Sequence, residues 1–339
     1  EALVHWRATV EELARNGLIE PLVAFDLDLS NMFGTIEWAE IREAAAADFP
    51  ESSNWLEWQH STVDEVELPS GSVAYTDRGA GQGDVYGSTP SSLALGRRML
   101  QHRERFSQTR PNQPTGAADE WFIDDGQAFV KPELAESWLQ SVDRAIQAFG
   151  GRREAGAECK SVARLLCPPG QETVHQGWAG PHIHATCKVL DAAVAPKVLG
   201  ACIGNTREIT AEFRRVTSKV EAERAAVSGL NHAPCELTLQ RRCLDVSKAS
   251  YLLRCSGDSV SSEALDAFDA SARCGVQEAL AGAVTDEAWL QATLGIDAGG
   301  LGLREASQIA LPAFIASRVA SRPLVEEMAS HFEAAGLGS

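Results

Sequence analysis

Hydrophobic positions at the start of the chain recur at helical spacing. Leu3, Trp6, Val10 and Leu13 share a face, and Asn16-Gly17 supplies a stop, so the pattern predicts a helix ending there. From Leu22 the period changes to two: Phe25, Leu27 and Leu29 fall on one face, and Ala24, Asp26 and Asp28 on the other, which predicts a strand with two acids on one side. A helix is expected through Ile36, Trp38, Ile41 and Ala45, followed by strands between Trp55 and Tyr75 with a turn at Pro69-Ser70-Gly71. After the glycine-rich run Arg78-Gly79-Ala80-Gly81-Gln82-Gly83-Asp84, Pro90-Ser91-Ser92 opens a helix that reaches Phe106. The polar stretch from Ser107 to Gly116 reads as a loop.

Two apolar runs, Trp121-Phe122-Ile123 and Gln127-Ala128-Phe129-Val130, flank Asp124-Asp125-Gly126. An Asp-Gly step between such runs signals a hairpin, here with an acidic tip. A helix over 132–149 carries Leu134, Trp138, Val142 and Ile146 and stops at Gly150, and strands follow near 162–167 and 187–190. Beyond Gly204 the pattern is helical to the C-terminus, broken at Gly229, Gly257, Gly282, Gly299-Gly300 and Pro323. The expectation is an α/β (α+β) region over 1–204, with a small antiparallel sheet and packed helices, and an all-α region over 205–339.

The chain has 339 residues, 44% hydrophobic and 23% charged, which excludes disordered, collagenous and coiled-coil classes. No apolar run approaches the roughly 20 residues of a membrane span, and no basic-then-apolar leader opens the chain. A protein of the cytoplasm or nucleus, neither secreted nor membrane-bound, is expected. The chain begins without Met inside an amphipathic pattern and reads as a piece of something longer. Eight Cys without a Cys-x-x-Cys pair read as reduced, mostly buried thiols. The net charge of −17 disfavours a polyanionic partner, but the sign is uneven. Residues 207–254 hold nine Lys and Arg against six acids, and Arg214, Arg215, Lys219, Arg241 and Arg242 within them are the cations a nucleic acid would meet.

The pair Asp124-Asp125 says little alone, because 17 Asp among 339 residues yield about one adjacent pair by chance. At a hairpin tip, with Asp28 ending a separate strand, it makes three carboxylates that strand pairing could unite. Such a cluster either raises its pKa values or binds divalent cations, and hard oxygen donors suit Mg²⁺ or Mn²⁺. Two-metal phosphoryl transfer uses this arrangement. Gly79, Gly81 and Gly83 allow close backbone approach to a ligand, although a plain tight turn is the competing reading.

The order Asp28-Leu29-Ser30-Asn31-Met32-Phe33, then Gly79-x-x-Gln82-Gly83-Asp84, then Phe122-Ile123-Asp124-Asp125 resembles motifs A, B and C of the reverse-transcriptase palm, most closely that of non-LTR (LINE-like) retroelements. Gly156-Ala157-Glu158-Cys159-Lys160 is similar to the region of the motif D lysine, Val198 to Gly204 to the segment leading into the thumb, and Gly299-Gly300-Leu301-Gly302-Leu303-Arg304 to a C-terminal signature of such elements. The resemblance covers about residues 20–320.

It implies a polymerase palm followed by a helical thumb, with RNA template, DNA primer and dNTPs as partners and two Mg²⁺ or Mn²⁺ ions as cofactors. Asp28 and Asp124 would be metal ligands, assisted by the Leu29 carbonyl and by Asp125. Phe33 would be the gate against a ribose 2′-hydroxyl, Gln82 and Gly83 would border the incoming nucleotide, and Lys160 would donate a proton to leaving pyrophosphate. The sequence departs from the family at Ser30, often basic, and Val85, often proline, and only Glu1 to Pro21 precede motif A, where the family's fingers lie. The competing reading is a catalytically inactive, retroelement-derived nucleic-acid-binding or structural domain. In that reading Phe33 is core, Lys160 a surface lysine and the basic stretch a solvated face. His182-Ile183-His184 with Cys187 lacks the second ligand pair of a zinc site and is expected to be ordinary loop and strand.

Overall fold

The computed structural model describes residues 1–80, 87–171, 175, 177–191 and 196–338. The chain divides into two compact units, Val10–Ala193 with Met328–Ser339, and Glu1–Thr9 with Val194–Glu327. The division falls eleven residues before the expected boundary at 204, and each terminus groups with the unit that does not hold its neighbouring sequence.

The first unit takes the end of α1 (Ala2–Arg15), then β1 (Leu22–Asp28), α2 (Met32–Thr35), α3 (Trp38–Asp48), α4 (Ser53–Gln59) and the hairpin β2 (Asp64–Glu67) and β3 (Val73–Thr76). It continues with α5 (Ser88–Gln108), β4 (Ala117–Phe122), β5 (Asp125–Val130), α6 (Ala135–Ala148), β6 (Val162–Leu166), α7 (Pro181–Thr186) and β7 (Lys188–Leu190). Five strands form one sheet in the order β4-β5-β1-β6-β7, so β1 is central. Both of its faces are covered, which is why Leu22 to Phe25 are all apolar and fully buried. Val23, Phe25 and Leu27 join the core built by α3, α5 and α6, where Phe25 stacks on Trp138 at 5.2 Å. On the opposite face Arg164 pairs with Glu11 of α1, both fully buried, and Phe129 meets Phe332 edge-on at 5.8 Å.

The second unit opens with the two-residue hairpin of β8 (Lys197–Val198) and β9 (Ala201–Cys202), whose turn residues Leu199 and Gly200 have φ of 49° and 81°. Helices α8 (Thr206–Ser228), α9 (Ala233–Cys243), α10 (Ser250–Ser256), α11 (Ser262–Ala279), α12 (Asp286–Thr293) and α13 (Ala306–Ala334) follow, the last seven residues of α13 belonging to the first unit. Asn205 and Glu208 cap α8 reciprocally. Buried Arg224 lies over the Phe268 ring at 5.1 Å and donates to the Leu244 carbonyl and the Ser271 hydroxyl, both at 2.7 Å.

Four expectations change. The stretch from Trp55 is helical before it is extended: Leu56 and His60, one turn apart, anchor α4, with the His60 ring stacked on Trp38 at 4.8 Å. The sheet is mixed rather than antiparallel, because α7 carries the chain across and β7 pairs with β6 in parallel. The hairpin turn is Ile123-Asp124, with Phe122 opposite Asp125, so Gly126 lies inside β5. A Cβ there would come within 2.7 Å of the Trp121 ring, and that close packing is what glycine permits. Finally, α13 runs through both Pro312 and Pro323, although each removes the donor for a carbonyl four residues earlier.

Candidate active site

Strand register assembles the acids. Across β1 and β5, Asp28 is directly opposite Asp125 and Asp26 opposite Gln127, so all four side chains share one face of the sheet. Asp124 occupies the adjoining turn, and its carbonyl accepts a hydrogen bond from the Leu29 N–H at 3.3 Å, tying the end of β1 to the hairpin tip. Ile123 holds the turn with φ 59°, a left-handed conformation that costs a β-branched residue about 1–2 kcal/mol. Asp125 registers the crowding: burial pushes its carboxyl up to about 6, and the charges of Asp124, Asp28 and Asp26 add to the rise.

A loop and a strand edge complete the surroundings. The Ser161 hydroxyl accepts the Asp28 N–H at 3.1 Å. The Lys160 ammonium stands 3.9 Å from an Asp28 carboxylate oxygen, the lysine 71% and the aspartate 32% exposed. The Arg152 carbonyl accepts the Ser30 N–H at 2.8 Å, and the Ser30 hydroxyl donates to Glu154. Ser161, Arg152 and Glu154 were not singled out in the sequence, since residues 150–161 carry no periodic pattern and reach the site only because β6 pairs with β1. Lys160 was legible by its place in a motif and Ser161 was not.

Phe33 lies on α2 and is half-buried. Its carbonyl accepts the Ala80 N–H at 2.6 Å, while Gly79 donates to the Ile36 carbonyl at 2.7 Å and accepts from the Trp38 indole at 2.8 Å. Gly79 has φ 78°, and a Cβ on it would sit 2.6 Å from the Phe33 carbonyl oxygen and 2.7 Å from the Gly34 carbonyl carbon. The start of the glycine-rich loop is therefore bound to the segment after β1 by close backbone contact. Gln82 and Gly83 lie outside the described residues.

The donor set offered by Asp28, Asp124, Asp125 and the Leu29 carbonyl is all oxygen, the donor chemistry of a hard divalent cation, and burial together with the charges of Asp124, Asp28 and Asp26 disfavours the ionised Asp125 that a cation would favour. Among the described residues no group of three or more His, Cys, Asp or Glu side chains is arranged to hold an ion. His182 does not point toward metal chemistry. Its Nε2 is 2.7 Å from Asp143, which also holds Arg153 through two contacts of 2.6 and 2.7 Å.

In the helical unit Arg214, Arg215 and Lys219 are exposed on α8, and Arg242 is exposed on α9. Arg215 pairs with Glu212 at 2.6 Å, and Lys248 with Glu223 at 2.8 Å, so part of the positive charge is met within the unit. Arg241 is half-buried, and a Cβ at Gly302 would meet its Nε at 3.0 Å. The run 299–304 is built into this unit: Leu303 is buried, its N–H bonds the Ala292 carbonyl, and Arg304 grips Asp245 through two nitrogens at 2.9 and 2.6 Å. Among the described residues no helix is long and apolar enough to cross a membrane. Comparison of the chain with models of known protein families gives no match, and a search of curated proteins gives none.

Proposed function

We propose that the chain carries the palm and thumb of an RNA-directed DNA polymerase that joins dNTPs to a primer 3′-hydroxyl and releases pyrophosphate. The observation that supports this best is the pairing of Asp28 with Asp125 across β1 and β5, with Asp124 in the adjoining turn bonded to Leu29. Asp28 and Asp124 would hold two Mg²⁺ or Mn²⁺ ions, with Asp125 and the Leu29 carbonyl assisting. Such ions, when bound, stabilise negative charge on the attacking and departing oxygens. Lys160, beside Asp28, donates a proton to a pyrophosphate oxygen. The Phe33 ring excludes a 2′-hydroxyl, and Gln82 and Gly83 border the nucleotide. Arg214, Arg215, Lys219, Arg241 and Arg242 meet duplex phosphates, which makes binding fall with salt.

Primer extension on an RNA template tests the reading. Incorporation of dNTPs should require Mg²⁺ or Mn²⁺ and fall about 10³-fold in Asp124→Asn, the scale of losing a preorganised electrostatic group. Phe33→Ala should admit ribonucleotides. Incorporation that survives Asp124→Asn refutes the catalytic assignment. The second reading, an inactive nucleic-acid-binding or structural domain, draws on the lack of a ready three-ligand group among the described residues, and it expects salt-sensitive duplex binding without incorporation.

A further inference from the structure

Residues 49–77 behave unlike the rest of the sheet unit. They contain six acids, Glu51, Glu57, Asp64, Glu65, Glu67 and Asp77, and no Lys or Arg, although Arg78, the next residue, pairs with Asp77 at 3.1 Å. Large apolar side chains on the same stretch face solvent: Trp58 is 72% and Tyr75 67% exposed, and Trp55, Val63 and Val73 are exposed with them. Leu56 and His60 fasten α4 inward, which turns Trp55 and Trp58 outward. Four residues later the chain enters β2 and β3, which form a sheet of their own and do not join the five-stranded one. An isolated two-stranded hairpin is marginal in water, and among the described residues this one has no third strand, while Glu65, Glu67, Val73 and Tyr75 are exposed on it.

We propose that this surface docks a separate Lys- and Arg-rich polypeptide segment. On the hairpin Glu65 is directly opposite Tyr75 and Glu67 opposite Val73, so exposed apolar and acidic side chains share one face, which offers apolar contact and selects a basic partner. Trp58 and Tyr75 also suit cations electrostatically, since guanidinium and ammonium groups are attracted to indole and phenol faces. The sign of the patch repels nucleic acid. A second copy of this chain, at net charge −17, is opposed by long-range repulsion. The proposal does not depend on polymerase activity.

The test uses the full chain and a fluorescein-labelled ten-residue peptide of alternating Arg and Leu, with the same peptide carrying Glu for Arg as control. Fluorescence anisotropy should show binding of the Arg peptide alone, weakening with salt. Affinity should fall at least about tenfold in Glu65→Lys/Glu67→Lys and in Trp58→Ser/Tyr75→Ser, while Glu104→Lys/Glu133→Lys, an equal charge change at exposed sites elsewhere, leaves it within about twofold. All substituted side chains are exposed, and unchanged circular dichroism confirms folding. No binding by the wild type, equal loss in the control variant, or self-association that the Trp58→Ser/Tyr75→Ser variant abolishes would each overturn the proposal.

Discussion

Removing one charge at the hairpin tip should stabilise the protein, and only above a defined pH. The folded protein raises the Asp125 carboxyl from 3.8 to about 6. A raised value means that the fold prefers the protonated acid, so the group costs nothing while both states are protonated. As pH climbs from 3.8 toward about 6 the unfolded chain gives up its proton while the folded state retains it, so stability falls; above about 6 both states are ionised and the loss is complete. At 1.36 kcal/mol per pKa unit the displacement corresponds to about 3 kcal/mol, and solvent screening of this half-buried group reduces it to about 1–1.5 kcal/mol. Asp125→Asn should therefore match the wild type near about pH 4 and exceed it by about 1–1.5 kcal/mol near about pH 7.5. Urea unfolding across that range, followed by tryptophan fluorescence, reads the right unit, since six of the eight tryptophans lie within Val10–Ala193. A difference that stays constant with pH would show that neither burial nor the neighbouring acids raise the Asp125 carboxyl.

Other outcomes follow from single contacts. Calorimetry should detect Mg²⁺ binding to the wild type that Asp28→Ala abolishes, and equal heats from both would separate the carboxylates from metal. Gly79→Val combines a left-handed backbone with a collision against the Phe33 and Gly34 backbone, so thermal unfolding should show a loss of about 2–4 kcal/mol. Asp269 accepts from the Ala306 and Ser307 N–H groups at 2.6 and 3.0 Å, and Asp269→Ala leaves the first turn of α13 without those acceptors. Denaturation should register about 2–4 kcal/mol, with a much smaller loss for Asp269→Asn, which keeps one acceptor oxygen.

The central strand was legible because alternation at Phe25, Leu27 and Leu29 has no helical explanation, and the same alternation set Asp26 and Asp28 on one face. What the pattern could not supply was the partner register, since Asp28 meets Asp125 through pairing between residues 97 positions apart. The Asp-Gly step suggested a hairpin and misplaced its turn by two residues, because Gly126 answers to the Trp121 ring rather than to turn geometry. Trp55 and Trp58 raised strand propensity in a segment that tertiary anchoring at Leu56 and His60 made helical. The run 299–304 shows a motif read through resemblance resolving into local mechanics: a backbone packed on the end of α12 and an arginine locked on Asp245.

The exchange of termini between units has a consequence for biogenesis. Phe332 packs on Phe129, and the Gly116 N–H is met by the Ala335 carbonyl at 2.9 Å, so part of the sheet face that carries Phe129 is covered by residues translated after all five of its strands. A ribosome emitting this polypeptide from the N-terminus therefore releases every strand of that sheet before the piece that finishes it exists. Expression of the sheet-bearing half alone, without Met328–Ser339, yields a product lacking part of its own interior.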